Sequence, residues 1–551
     1  MEANLTPPRL VSHGSAKQLV ADGQPFLMLA AELNNSSASS PEYMAPLWPK
    51  LVATHLNTVL ATVSWELIEP EDGKFDFTLV DRLLSDARAH RLRLVLLWFA
   101  SWKNGKSNYQ PMWVKANQER FPLAVDEQGR SMPILTTLSA TNRDADARAF
   151  AAFMRHLHEM DGRTHTVLMV QVENEVGILG DSRDYSPAAN AAFAGQVPAA
   201  LMDYLVAHRE TLIREFREAW EAHGAKTTGT WEQVFGSGKP AGTPVPVRTL
   251  TPPLSAEEHE TGWRKPVWAA DEIFMAWHYA RYVNAIAEAG KAEYNLPMFV
   301  NAWLQQRDHA WPGTYPSGGP VPQVMDVWRA GAPCIDILAP DLYVPEFAEL
   351  CARYTRSDNP LFIPETANGA AGAANAFYAF GRHDAICFSP FGADRFVGED
   401  PDLADAYSIL DQLSRVILAN QGTGKMTAVL LEGEDSAERV HLGGYEIEVR
   451  YATLPFWRPE KTPPPMNVAA LLIATGPDEF LIAGRNVHIT FSLPADQPEL
   501  VGLGTVDEGA YVDGKWIPGR RLNGDETPEW HSLRFGGDRY RIQHVKLYRY
   551  R

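Results

Sequence analysis

The chain has 551 residues, 45% of them hydrophobic and 10% aromatic, with 16 Trp and a formal net charge of −18. That length leaves room for roughly two to four domains with large cores. The acidic balance, with no long basic cluster, argues against nucleic acid and anionic membrane surfaces as partners. No apolar run approaches the roughly 20 residues needed to span a bilayer. Cys334, Cys351 and Cys387 stand far apart and form no CxxC pair, which excludes a zinc ribbon and a disulfide framework and predicts free thiols. The first ten residues lack the basic start and apolar core of a signal peptide. The expected location is cytoplasmic, or periplasmic if a leader has been trimmed; oligomeric state is not legible.

Short apolar runs alternate with helix-sized segments along most of the chain. Strands are predicted at 26–31, 57–63, 92–99, 167–175, 298–303, 335–343, 361–365 and 385–389, with helices such as 77–90, 144–160 and 271–289 between them. Eight such strands predict an α/β fold, a (β/α)8 TIM barrel over residues 1–420. A long insertion at 178–295 follows the fourth strand. It carries a strong helical pattern at 197–222 and a Pro/Gly/Thr-rich segment at 227–266, the kind of loop that forms a lid or binding wall. Near Gly422 the helical period gives way to alternating strands at 427–432, 445–451, 468–474, 487–491 and 542–548, with a Pro-rich stretch at 461–465. Residues 421–551 therefore read as an antiparallel β-sandwich domain whose role is packing.

Barrel enzymes build their sites at the carboxyl ends of the strands, so those ends carry the functional reading. The fourth strand closes with Glu173-Asn174-Glu175 and the seventh with Glu365. A buried parallel strand has no use for charge before its end. Asn followed by Glu suits sugar chemistry: the amide bonds a ring hydroxyl while the carboxyl protonates a glycosidic oxygen. Strands four and seven lie on opposed arcs of an eight-stranded ring, so both carboxyls can enter one pocket. Other strand ends offer Glu32 and Asn34, Trp65, Trp98, Asn301 and Trp303, Tyr343, and Phe388. Aromatic faces take the apolar side of a pyranose and polar groups take its hydroxyls. A tyrosine such as Tyr343, near a nucleophilic carboxylate, helps keep it ionised.

Residues 169–177, MVQVENEVG, resemble the acid/base signature of glycoside hydrolase family 35, the β-galactosidases with catalytic glutamates on strands four and seven. Residues 65–77, WELIEPEDGKFDF, are similar to that family's second-strand segment. The resemblance covers roughly residues 20–400 and implies retention of anomeric configuration, a carbohydrate substrate, no cofactor and no metal. By position it makes Glu175 the acid/base, Asn174 a contact to the 2-hydroxyl, and Glu365 the nucleophile. Two galactose-binding positions of typical members, a tyrosine and a glutamate, fall on Thr62 and Ser101 here, and Pro364-Glu365 replaces the usual Ser-Glu. These departures resemble a divergent bacterial subgroup acting on galactosyl units of plant-type glycans, with a C-terminal β domain.

Other readings stay open. The nearest is another retaining β-glycosidase of the same clan, a family 42 β-galactosidase or a β-glucosidase. A non-catalytic carbohydrate-binding relative is the rival from a different class. His156 and His158 lack the spacing of a zinc hydrolase, and Gly502-Leu503-Gly504 has no following helix, which disfavours metal and nucleotide chemistry.

Overall fold

In the computed structural model, residues 6–245, 268–306, 310–433, 436–452, 467–527 and 532–551 are described. Eight parallel strands close into a barrel: β1 (Met28–Glu32), β2 (Thr58–Ser64), β3 (Arg93–Lys103), β4 (Val167–Asn174), β5 (Met298–Trp303), β6 (Ile337–Leu342), β7 (Phe362–Thr366) and β8 (Cys387–Pro390). All eight predicted strands are present. Their apolar runs have one physical cause: each strand is covered by helices outside and by its neighbours' side chains inside. Met28, Leu97, Phe299, Ile337 and Phe362 fill the interior.

Three features differ from the sequence reading. An N-terminal meander (Arg9–His13, Ala16–Ala21, Gln24–Phe26) precedes the barrel, and its Leu19 and Ala21 join the interior cluster, closing the end opposite the candidate site. Asp22 ties this meander to the barrel, accepting from Arg93 at 2.6 Å and contacting His165 Nδ1 at 2.9 Å. Second, the helical pattern at 197–222 is two helices, Ala199–Ala207 and Arg214–Ala222. Leu212 and Ile213 between them are extended, with the Ile213 N–H satisfied by Asp326 Oδ2 at 2.7 Å. A side chain from a distant helix thus replaces the helical hydrogen bond there. Third, the described part of the insertion is packed helix: Leu201, Phe216, Trp220 and Trp231 lie in one core with Phe274 of the helix Ala269–Glu293. Residues 246–267 of the Pro/Gly/Thr-rich segment lie outside the described residues, as does the Pro-rich stretch at 461–465.

Beyond Gly422 a six-stranded and a four-stranded antiparallel sheet face each other across a core containing Val429, Ile447, Val468, Phe480, Ile489 and Leu533. The other face of the larger sheet packs through Ala428, Leu471 and Leu481 onto the core shared with the barrel helices. Gly381 in the helix Gly369–His383 permits that approach, since a Cβ there would lie 2.5 Å from Leu471 Cδ1 and 2.7 Å from Ala428 Cβ.

Candidate active site

The end of β4 leaves ordinary strand geometry. Glu173 (φ 63°) and Glu175 (φ 45°) both adopt left-handed backbone, which is costly away from glycine and persists only when neighbours hold it. Here they do. The Glu175 N–H donates to Asn301 Oδ1 at 3.0 Å, and its carbonyl accepts the Gly105 N–H at 3.0 Å. Gln171 Nε2 donates to the Glu173 carbonyl at 2.9 Å. The consequence is that Glu173 and Glu175 serve different ends. The buried Glu173 carboxylate accepts the backbone N–H groups of Ser101 (3.1 Å) and Trp102 (2.7 Å), whereas Glu175 joins the carboxyls at the barrel mouth.

One carboxylate oxygen from each of Glu175, Asp341 and Glu365 lies within 4.8 Å of the others. Glu365 is held on both sides. Its Oε1 accepts Asn174 Nδ2 and Asn301 Nδ2, each at 3.3 Å, and its Oε2 accepts the Tyr343 hydroxyl at 3.1 Å. Asn301 also donates to Asp341 Oδ2 at 2.8 Å. A lysine, Lys103, stands 4.0 Å from Glu365 Oε1. Such a carboxylate trio has the donor set for a hard cation, but Lys103 already brings a positive charge to it.

Burial first, then the negative charge of Glu365, raises Glu175 to about 7, partly offset by Lys103 and a hydrogen bond with Asp341. Asp341 is raised by burial and then by Glu365 and Glu175. Glu32 is raised by burial and by Glu365, against the pull of Lys103. Neither oxygen of Glu32 has a hydrogen-bond partner in the protein, and Asn174 Oδ1 is likewise unpartnered although buried. Unsatisfied buried acceptors are expensive unless something else donates to them; sugar hydroxyls are donors of the right kind.

Of the residues singled out from sequence, Glu175, Glu365, Asn174, Asn301, Tyr343 and Glu32 come together here. Trp303 ends β5 beside Asp341, half-buried. Asn34 sits at the rim of β1, where Asp394 Oδ1 accepts its N–H at 2.9 Å. Three aromatics do not reach the carboxylates. Trp65 is buried against Trp113 and donates from Nε1 to Glu69 Oε2 at 2.8 Å. Trp98 packs on Phe150 and Phe153 in the helix-facing layer and donates to Asp146 Oδ1 at 2.9 Å. Phe388 faces Phe347, also outward. On a strand buried on both faces, adjacent residues point in opposite directions, and Trp98 and Phe388 fall on the outer parity; Trp65 lies past the end of β2, at the start of the short helix Trp65–Ile68.

Sequence reasoning missed Lys103 altogether. A cavity of 540 Å³ is lined by Asn35, Thr62, Ser64, Leu79 and Tyr109 among others; neither Glu175 nor Glu365 lines it.

Residues 48–250 match the family model of the glycoside hydrolase family 42 β-galactosidases. Residues 403–534 match a domain of unknown function, a match that begins inside the helix Pro401–Asn420. A β-galactosidase of Xanthomonas manihotis is 27% identical over 199 residues, which cover 33% of this chain and 29% of that protein. The chain therefore matches less than a third of the length of that curated relative. Among solved structures, the β-galactosidase of Bacillus circulans sp. alkalophilus aligns with a TM-score of 0.43 at 15% identity, covering 71% of this chain and 57% of that one. The β-galactosidase of Rahnella sp. R3 gives 0.44 at 16%, covering 74% and 58%. The β-amylase catalytic domain of Paenibacillus polymyxa gives 0.44 at 10%, covering 71% and 97%.

The class these findings define is a TIM-barrel protein whose first half is β-galactosidase-like in sequence. The particular family model matched is that of family 42, the nearest rival reading above, rather than family 35.

Proposed function

We propose that this protein is a retaining, exo-acting glycoside hydrolase that releases terminal β-D-galactose from oligosaccharides or plant-type glycans. The observation that carries the reading is that Glu175 and Glu365, at the ends of β4 and β7, turn into one buried pocket with one carboxylate oxygen of each within 4.8 Å of the other. Retaining enzymes place their two carboxyls about 5 to 5.5 Å apart, inverting ones about 6.5 to 9.5 Å. The family 35-like motif at 169–177 and the family 42 match over 48–250 both point to this two-glutamate chemistry.

In the first step Glu365 attacks the anomeric carbon as the bond to the leaving oxygen breaks, and Glu175 gives that oxygen its proton. A carboxyl raised to about 7 can hold a proton near neutrality. Glu175 is then a carboxylate, and forming the glycosyl ester removes the charge of Glu365 that had favoured its protonation. Glu175 therefore stays ionised and takes a proton from water as the base of the second step, in which water displaces Glu365 from the anomeric carbon. Asn174 serves the 2-hydroxyl, Tyr343 holds Glu365, and Glu32, with two unpartnered oxygens, accepts from hydroxyls of the glycone. Residues 421–551 act as a packing domain behind the barrel.

The test is nitrophenol release from matched β-galactoside, β-glucoside, β-xyloside and α-arabinoside, with Glu365→Gln and Glu175→Ala alongside. Dominant β-galactoside turnover, lost in Glu365→Gln, is expected. Glu175→Ala should spare activated aryl glycosides more than natural ones, because only the latter need the proton. Equal loss on both would overturn the assignment of Glu175. Preference for another sugar would move the protein elsewhere in the clan, and binding without turnover would favour the non-catalytic reading.

A further inference from the structure

We propose that Lys103 is a positioning residue of this site, the counter-ion of the two-glutamate pair, carried into the pocket by a bulge in β3. The inference rests on the two-glutamate reading above. Its ammonium is buried, 4.0 Å from Glu365 Oε1 and 4.8 Å from the centroid of Phe99, over whose ring it lies.

The backbone that delivers it is irregular. Trp98 pairs with Val172 and Lys103 with Asn174, a step of five residues on β3 against two on β4. Three extra residues are thus looped out, and bulges of this kind re-aim side chains beside active sites. The loop is fastened from below by the Glu173 carboxylate, which takes the N–H groups of Ser101 and Trp102. Asp146 accepts the Ser101 hydroxyl, and the Trp102 ring packs edge-on against Tyr279 and Tyr282. Beyond Lys103 the chain turns back through Asn104 (φ 53°) and Gly105 (φ 62°), closed by reciprocal hydrogen bonds between Lys103 and Lys106 of 2.7 and 3.0 Å. Asn-Gly is the residue pair that such a tight turn favours. Since the Gly105 N–H binds the Glu175 carbonyl, the turn fixes the lysine and the acid/base backbone together.

The groups facing Lys103 come from four strands: Glu365, Glu175, Glu32 and Asp341, with the phenols of Tyr343 and Tyr109 nearby. Among the described residues, Lys103 is the one cation acting on both Glu32 and Glu175. A buried ammonium is expensive without compensation. Burial pulls Lys103 toward its neutral form, and the four carboxyls outweigh that and hold it charged. The resting pocket then needs only one ionised carboxylate to be neutral overall, and the mechanism requires that one to be Glu365.

The test is a titration of carboxyl carbons in the protein labelled with ¹³C-glutamate, with the Glu175 resonance assigned through Glu175→Gln. In Lys103→Met the Glu175 midpoint should rise from about 7 by on the order of one pH unit, and in Lys103→Arg it should stay in place. Lys103→Gln substitutes if the methionine variant does not fold. In kinetics, Lys103→Met should lose kcat with little change in KM at the wild-type optimum. Both limbs of its pH profile should move to higher pH. An unmoved midpoint, or a loss equal at every pH, would overturn the proposal and leave Lys103 as packing for the bulge. The titration uses no substrate, so a wild-type protein inactive on every glycoside would count against the proposed function and not against this assignment.

Discussion

Asn301 is the residue whose removal tests the site's architecture most directly. Its Oδ1 accepts the Glu175 N–H at 3.0 Å, and its Nδ2 donates to Asp341 at 2.8 Å and to Glu365 at 3.3 Å. Asn301→Ala leaves a buried N–H and the Asp341 oxygen without those partners. Each unsatisfied group costs about 1–3 kcal/mol, so the protein should lose on the order of 3–5 kcal/mol once the weaker contact to Glu365 is included. The kinetic effect is a separate matter. Glu175 is held at φ 45°, and without Asn301 it loses one of the two backbone hydrogen bonds that hold it there. A displacement of roughly 1 Å at a reacting group costs about 100-fold in rate, and kcat on an aryl β-galactoside should fall by about that factor. Asn301→Asp makes the complementary case. It retains the acceptor for Glu175 but sets a further carboxylate against Asp341 and Glu365, so its activity should survive only at lower pH. Denaturant unfolding and pH–rate profiles of the three proteins decide the matter. If Asn301→Ala keeps its rate within a few-fold of wild type, Asn301 does not hold Glu175 in place.

Three further outcomes are expected. Glu365→Gln removes the second-largest cause of the elevation of Glu175, so the Glu175 midpoint should fall from about 7 but stay above an ordinary carboxyl, since burial, the largest cause, remains; a carboxyl NMR titration reads this directly. Tyr343→Phe should lower kcat by roughly 10- to 100-fold, in the range of a lost charge-assisted hydrogen bond, with little change in melting temperature because the ring is half-exposed. Away from the site, Glu272 is buried with the Tyr315 hydroxyl and Gln323 as donors and is raised from 4.5 to about 7 by burial. A carboxyl raised on folding contributes stability that is complete below its unfolded value and is lost as pH rises through its folded value. Glu272 should therefore take away about 3 kcal/mol between pH 4.5 and somewhat above 7. Glu272→Gln should be the more stable protein at pH 8 and flatten that part of the profile; an unchanged pH dependence of unfolding would refute it.

The sequence by itself determined the eight barrel strands, because parallel strands covered on both faces must be apolar runs of strand length, and these alternate with helical periods. It also placed Glu175 and Glu365 at the carboxyl ends of the fourth and seventh strands, since a carboxylate closing such a run has only that end of the barrel to occupy. The tertiary structure alone decided the rest. A strand buried on both faces shows no alternation, so nothing in the sequence said that Trp98 and Phe388 point to the helices while Asn301 and Asp341 point inward. Glu173 and Glu175 stand two residues apart, and the left-handed turns at β4 send one behind β3 and the other into the mouth. Lys103 lies past the point where the third strand's apolar run ends, and the Asn104-Gly105 turn that follows it was its only local signal. What brings it to Glu365 is a bulge held by contacts from β4 and from the helix Ala140–Asp161. Contacts between residues dozens of positions apart leave no periodicity in the chain, and so they become legible only when it is folded.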